Sequence, residues 1–295
     1  MPSLAFLDNW SNCVVKKAPL SPLTSLGIGG TAAALVRPAD VATLIGVLQA
    51  ASKSKVDVRF LGSGSNILVK DTGFDGIVIH FATPAFQAIT VKDNKIEART
   101  GATLSQLLST AARHGLGGLE SLVSVPGTVG GALKNDLKVK TGPLSQFVSR
   151  VELLDASGKV AWHGRDDVPI DQLLSTPDGA IILGAEFILQ PDQPEAMVKR
   201  LRKNWIHARI HQPLSQHHTA KLFRDPPGGT ANQLIVKASA QLNKVGHASL
   251  CERDANYVVV TDKARTNDVL ELMEKVQTQV EERMGEVLQP SLVVW

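Results

Sequence analysis

Two glycine-rich loops are the segments of this sequence best suited to bind a ligand through the main chain. They read Gly62-Ser63-Gly64-Ser65-Asn66 and Val125-Pro126-Gly127-Thr128-Val129-Gly130-Gly131-Ala132. Glycine tolerates positive φ angles, so successive N–H groups of such a loop can point into one concavity that holds phosphate oxygens. For the first loop, a tight hairpin turn explains the glycines equally well. A strand follows it, whereas a Rossmann pyrophosphate site requires a helix at that point.

The second loop weakens an explanation by turn geometry alone. The surrounding segment GLGGLESLVSVPGTVGGALKN has too many glycines for a helix interior, which predicts a shaped loop. An extended dinucleotide accounts for both loops, because one could hold a pyrophosphate while the side-chain-free wall of the other lets a flat ring lie close to the main chain. The alternative is that Gly130 and Gly131 only permit close packing of a strand and a helix.

Other polar clusters give weaker signals. His207 and His211 have the i, i+4 spacing of a zinc site and precede the pair His217-His218, but no HExxH glutamate or cysteine accompanies them, so we expect no metal. Asp166-Asp167 reads as a solvated turn, and Arg224-Asp225 as a surface ion pair. The two cysteines are far apart in sequence, which fits buried thiols in a reducing compartment.

Hydrophobic periodicity predicts the elements that position these loops. The predicted elements are a helix over 40–53, strands over 56–61, 67–69 and 77–81, a hairpin over 88–100, a helix over 104–114, strands in VELLDASGKVAW and AIILGAEFIL, and helices over 197–210 and 268–284. The change in composition at QPDQPE indicates a linker. We therefore expect a mixed region over 1–190, with lobes at about 1–82 and 83–190, and a smaller α/β domain over 195–295.

Composition limits the possible partners. The chain has 295 residues, 43% of them hydrophobic, and a net charge of +3. Its basic residues are scattered, so we expect no nucleic-acid binding. It has neither an export leader nor a run of about 20 apolar residues, which predicts a cytoplasmic protein without membrane contact.

The sequence resembles the UDP-N-acetylenolpyruvoylglucosamine reductase family, the MurB-type flavoproteins of bacterial cell-wall precursor synthesis, in GSGSNILVKDTGFDGIVI and GATLSQLLSTAARHGLGGLESLVSVPGTVGGALKN. The resemblance continues through LRKNWIHARIHQP, KLFRDPPGG and DANYVVVTDKARTNDVLELMEKVQTQV, and so covers nearly the whole chain. It implies an α+β fold with a two-lobed FAD-binding region of the vanillyl-alcohol-oxidase (PCMH-like) type and a C-terminal α/β substrate-binding domain. It also implies that NADPH reduces the flavin, which passes a hydride to the enolpyruvyl group of a UDP-sugar.

Both glycine loops match flavin-contacting loops of the family. The FAD contacts implied by the resemblance are Gly62, Ser63, Gly64, Ser65, Asn66, Pro126, Gly127, Thr128, Val129, Gly130 and Gly131. The family's run after the second loop is not kept here, since the chain continues Asn135-Asp136-Leu137-Lys138.

The family's catalytic serine, arginine and glutamate are absent from the matching positions. Lys221 stands in place of the serine, Ile170 falls where the arginine belongs, and Ser291 replaces the glutamate. Hydride addition to an enol ether needs a proton donor and groups that stabilise the developing charge. Lys221 could donate a proton or bind an anionic substrate, although a solvated surface lysine is the commoner role.

Two functions remain open on the sequence. The first is an FAD-dependent oxidoreductase of this type with altered acid chemistry. The second is a catalytically degenerate protein that binds FAD or a nucleotide sugar in a regulatory or scaffolding role.

Overall fold

β-branched runs alternate with short helices along the chain and form three sheets of four or five strands, beside two-stranded pairings, among the described residues. The computed structural model describes residues 4–135, 137–139, 142–165, 167, 179–213, 218–240 and 243–295, with only the main chain at residues 139 and 211. Ile170, Asp166, Asp136 and His217 lie outside these residues. Among the described helices, none is both long and apolar enough to span a membrane.

The first sheet is mostly parallel and supports the first glycine loop. Its region contains β1 (Val14–Pro19), β2 (Thr31–Val36), α1 (Val41–Lys53), β3 (Val58–Leu61), β4 (Ile67–Leu68), β5 (Phe74–His80), α2 (Pro84–Gln87) and 3-10 turns at Ala5–Cys13 and Ser21–Leu23. The strand order is β1-β2-β5-β3, with β2, β5 and β3 parallel. As predicted, Asp40 caps α1, its Oδ1 accepting from the Thr43 amide at 2.7 Å. Since β3 ends at Leu61, the loop lies at the carboxyl edge of the parallel strands, where ligands of such sheets bind.

The second sheet is antiparallel and supports the second glycine loop. Its region contains β6 (Ile89–Lys92), β7 (Lys95–Arg99), α3 (Leu104–Arg113), β8 (Leu116–Gly117), α4 (Val129–Lys134), β9 (Lys138–Val139), β10 (Gly142–Pro143), β11 (Val148–Leu154), β12 (Val160–Gly164), β13 (Ile181–Ile188), β14 (Gln190–Pro191) and 3-10 turns at Glu120–Leu122 and Leu144–Phe147. The strand order is β12-β11-β13-β7-β6. The predicted hairpin is present as β6 and β7. A capping box between Thr103 and Gln106 starts α3, whose apolar side is buried as predicted.

The third sheet belongs to the C-terminal region. This region contains α5 (Pro194–His211), β15 (Thr219–Lys221), α6 (Ala231–Lys237), β16 (Lys244–Val245), β17 (Ala248–Leu250), β18 (Tyr257–Val260), α7 (Thr266–Met284) and β19 (Val293–Val294). The strand order is β15-β18-β17-β16, all antiparallel. The stripe predicted for α7 is buried against this sheet, and Gly285 ends the helix at φ +70°.

The C-terminal region is fastened to the first sheet by its last residues. Strand β19 pairs in parallel with β4, directly after the first glycine loop. The Trp295 side chain is buried, and the Arg59 guanidinium lies 5.5 Å from its ring centroid. Thr266, at the start of α7, donates its hydroxyl to the Val69 carbonyl at 2.7 Å. The predicted domain boundary, with one region ending at residue 190 and the next beginning at residue 195, stays a prediction.

Candidate functional site

The first glycine loop keeps its shape through contacts with the 21–30 segment. Gly64 has φ +67°, and a Cβ there would collide with the Leu23 carbonyl, so only glycine fits. The Gly64 carbonyl accepts from the Ser25 amide at 3.1 Å. Within the loop, the Ser63 and Ser65 hydroxyls are 3.2 Å apart.

The N–H groups of this loop are open. Among the residues that the structure describes, no acceptor pairs with the amides of Ser63, Gly64, Ser65 or Asn66. A left-handed residue in such a run turns neighbouring amides toward one point, which is the geometry of a backbone anion nest. The main chain therefore fits the pyrophosphate of a dinucleotide.

The second loop differs from the sequence prediction, because its last part is helical. Thr128 caps α4, its hydroxyl accepting from the Gly131 amide at 3.3 Å. The Val129 amide donates to the Ala102 carbonyl at 2.8 Å, and the Gly130 amide to the Thr100 carbonyl at 2.9 Å. Since these three amides are already hydrogen-bonded within the protein, they cannot donate to a ligand. The helical part of the second loop therefore offers a ligand only a surface to pack against, whereas the first loop offers hydrogen-bond donors.

The two loops face each other. The Ser65 hydroxyl donates to the Pro126 carbonyl at 3.5 Å. A Cβ at Gly62 would lie 2.6 Å from the Thr128 hydroxyl, so the chains approach more closely there than a side chain allows. The structure thus brings the two predicted loops into contact, although they follow different sheets, while Val129 and Gly130 are buried within the protein.

Close packing explains some of the glycines without any ligand. A Cβ at Gly130 would collide with the Thr100 hydroxyl, so this buried glycine is required by the close packing of α4. Close packing was the alternative explanation of Gly130 that the sequence left open. The adjacent Gly131 is exposed, and its Cβ would find its nearest neighbour, the Thr128 hydroxyl, at 3.3 Å. Gly131 is therefore the better candidate for a smooth wall against a ring.

The C-terminal region meets the first loop at Asn66. The Ser291 hydroxyl donates to Asn66 Oδ1 at 3.0 Å, and the Val293 amide donates to the Asn66 carbonyl at 2.9 Å. The Ser291 amide in turn donates to the Leu222 carbonyl at 2.7 Å. Of the substituted positions, 291 therefore contacts the loop, and 221 is the neighbour in sequence of Leu222, which binds Ser291.

Lys221 is held by a carboxylate. Its Nζ is 2.6 Å from Asp225 Oδ2, while Asp225 Oδ1 accepts from the Ala231 amide at 3.0 Å. Asp225 thus pairs with Lys221 and not with Arg224, contrary to the sequence expectation, because β15 and the turn after it bring position 221 opposite. The Lys221 side chain is 38% exposed, so its ammonium remains within reach of a ligand.

Two residues that the sequence reasoning did not single out support Lys221. Asn256 is buried and clamps Phe223, accepting from its amide and donating to its carbonyl, both at 2.9 Å. Tyr257 is paired with Lys221 in the β15–β18 ladder. Burial raises the pKa of Tyr257 to about 12, with further contributions from the negative charges of Asp254 and Asp225. Both residues lie in the quoted segment DANYVVV, and a buried polar residue in an apolar run is the signal that points to them.

The remaining candidates have structural partners. Asp167 accepts from the Gly164 amide at 3.0 Å. The His218 ring nitrogen Nδ1 is 2.9 Å from the Leu26 carbonyl. Within the described parts of the chain, no group of three or more metal-ligating side chains is assembled.

Comparison with known proteins identifies the family. Residues 32–164 match the model of an FAD binding domain, and residues 212–295 match that of the UDP-N-acetylenolpyruvoylglucosamine reductase C-terminal domain. The UDP-N-acetylenolpyruvoylglucosamine reductase of Rhodopirellula baltica is 31% identical over 98% of this chain and 95% of its own length. The chain belongs to the UDP-N-acetylenolpyruvoylglucosamine reductase family. UDP-N-acetylenolpyruvoylglucosamine reductase 2 of Symbiobacterium thermophilum is 33% identical over 94% of this chain and 90% of that protein.

A solved structure supports the same assignment. The crystal structure of UDP-N-acetylenolpyruvylglucosamine reductase from Thermus caldophilus superposes with a TM-score of 0.77 at 29% identity, and covers 96% of this chain and 98% of that one. The predicted family and the predicted α+β fold, with an FAD-binding region followed by a C-terminal domain, are therefore confirmed.

The neighbouring glycines provide a matched test of the second loop. Gly130→Ala forces a methyl group against Thr100, so we expect a loss of about 1–3 kcal/mol in the free energy of unfolding. Gly131→Ala places its methyl group at the surface, with the Thr128 hydroxyl 3.3 Å away as its nearest neighbour, and should leave this free energy within about 0.5 kcal/mol of the wild type. Urea unfolding of the FAD-free proteins measures both. Equal losses in the two variants would contradict the packing described here.

The pKa of Tyr257 can be measured without interference, because it is the chain's only tyrosine. Near-ultraviolet absorbance should report phenol ionisation near pH 12 in the folded protein, against 10.0 in the unfolded chain. Since the folded state keeps the proton that the unfolded state loses, stability should fall as the pH rises from about 10 to about 12. Tyr257→Phe should remove the signal. Ionisation of the folded protein near pH 10 would show that the side chain is solvated.

Proposed function

We propose that this chain is an FAD-dependent reductase that holds its cofactor between the two glycine loops and acts on the enolpyruvyl group of a UDP-sugar bound against the C-terminal region. NADPH is the proposed electron donor and the cytoplasm the proposed location. The single observation that carries the proposal is the contact at Asn66. There, the loop with open amides meets Ser291 and, through Leu222, the strand that ends at Lys221.

The residues around the loops fit the cofactor. The open amides of residues 63–66 suit its pyrophosphate, and the exposed main chain at Gly131 suits a flat ring. When bound, FAD supplies hydride transfer, which the side chains of the protein cannot perform. The protein binds and orients the reactants around it.

Lys221 is the proposed binding group for an anionic part of the substrate. Its ammonium is charged, half-exposed and fixed by Asp225, while Asn256 holds the adjoining strand in place. An ammonium fixed in this way binds a carboxylate or phosphate without first losing side-chain freedom, which strengthens the interaction. Ser291 is a positioning residue here, since its hydroxyl holds the Asn66 side chain.

Anaerobic addition of NADPH to the FAD-loaded protein tests the reductase activity. We expect the visible flavin absorbance to bleach, and then to return when UDP-N-acetylenolpyruvoylglucosamine is added, because the substrate takes up the electrons. Flavin that NADPH cannot reduce, with or without the UDP-sugar, would contradict the reductase activity and favour the binding protein instead.

Lys221→Ala should weaken the binding of the UDP-sugar and leave FAD binding unchanged. Loss of one charge-assisted contact should raise the Kd for the UDP-sugar roughly tenfold or more, and Lys221→Arg should restore most of the affinity. Isothermal titration calorimetry measures the Kd, with Lys244→Ala, an exposed lysine of the same region, as the control. An unaltered Kd in Lys221→Ala would return Lys221 to the role of a solvated surface lysine.

A further inference from the structure

The outer face of α5 exposes large apolar side chains. Its inner face is anchored: Met197 and Ala208 are buried, and Arg200 binds the Glu120 carboxylate at 2.7 Å. The exposed apolar residues of the outer face are Val198 at 63%, Ile210 at 60%, Trp205 at 43% and Ile206 at 43% exposure. Trp205, Ile206 and Ile210 line one shallow groove, and Val198 lies two helical turns before Trp205, so these residues are not scattered single exposures.

Basic side chains lie between these apolar residues. On the outer face they are Lys199, Arg202, Lys203 and Arg209, and Arg253 lines the same shallow groove as Trp205, Ile206 and Ile210. Within the part of the chain that the structure describes, these five cations form no salt bridge with a carboxylate. Glu195 is the only acidic residue of the helix. The face therefore combines apolar bulk with positive charge.

We propose that the outer face of α5 docks on an anionic phospholipid surface. Aliphatic side chains and a tryptophan can enter the boundary between headgroups and acyl chains, while the flexible stems of lysine and arginine let their charges remain among the phosphates. The Arg209 guanidinium already lies 5.0 Å from the Trp205 ring centroid, which places a cation next to the aromatic side chain as such an interface requires.

Charge distinguishes a lipid surface from the other occupants. In a twofold dimer through this face, each copy would present its cations to those of the other copy, which is unfavourable. A nucleic acid would satisfy the cations but leave three large aliphatic side chains against a polar backbone, since stacking needs aromatic rings. The sequence expectation of no membrane contact rested on the lack of a spanning segment, and surface docking needs none.

Flotation of the full-length protein with vesicles tests the proposal. At low salt we expect binding to vesicles of equal parts phosphatidylglycerol and phosphatidylcholine, and little binding to phosphatidylcholine alone. Replacing Lys199, Arg202 and Lys203 together by Gln should lower the partition coefficient roughly 100-fold, at about fivefold for each cation. The charge-matched control replaces the exposed Lys53, Lys92 and Lys237 by Gln, and should retain wild-type binding.

A second pair of variants separates the apolar contribution. Ile206→Ser with Ile210→Ser should weaken binding roughly tenfold or more, because the apolar area that enters the interface is lost, and should leave the Tm unchanged since both residues are exposed. Trp205 emission should shift to the blue on binding, and Trp205→Phe should remove the shift.

No binding of the wild-type chain to anionic vesicles, or equal losses in the Gln variant and its control, would overturn the proposal. Tighter binding of a single-stranded oligonucleotide, or a dimer that Ile206→Ser with Ile210→Ser dissociates, would also overturn it.

Discussion

The parallel pairing of the last strand with the strand that follows the first glycine loop determines how this molecule is assembled. β19 is only two residues long, so its ladder alone is weak. Its position depends on the buried Trp295 side chain and on Arg59, whose guanidinium lies 5.0 Å from the Phe74 ring centroid and 5.5 Å from that of Trp295. Because the strand is fixed in this way, Ser291 reaches Asn66 and also binds Leu222, the residue that follows β15.

The two glycine loops use the absence of side chains for different purposes. In the first loop, Gly64 permits a left-handed turn that leaves amides open, and open amides need water or a ligand as acceptor. In the second loop, Gly130 lets α4 pack tightly on Thr100, while Gly131 leaves the outer surface smooth. One loop therefore supplies charge complementarity to a phosphate, and the other supplies shape. An extended cofactor with a charged middle and a flat ring needs both.

The local sequence was sufficient to predict the elements that are stabilised by contacts between residues close together in the chain. The cap at Asp40, the stripe of α7 and the hairpin formed by β6 and β7 follow from spacing and turn chemistry, and the structure has them. The helix α4 was missed because glycine propensity argues against it. The Thr128 cap and the hydrogen bonds to the Thr100 and Ala102 carbonyls outweigh that propensity. The two carbonyls belong to another segment of the chain, so the local sequence of α4 does not reveal them.

The contacts that build the site could not be read from spacing. Ser291 and Asn66 are 225 positions apart, and only the path of the C-terminal strand brings them together. Similarly, Asp225 has Arg224 as its sequence neighbour but binds Lys221, because the geometry after β15 decides between the two cations. The sequence resemblance predicted the family and the two loops. The contact between the first loop and the C-terminal region is visible only in the structure.

The visible absorption spectrum of the purified protein tests the central claim most directly. If the loops at residues 62–66 and 126–131 hold FAD, the protein should be yellow, or become so when FAD is added, with one flavin bound per chain. A colourless protein that takes up no added FAD would contradict the account.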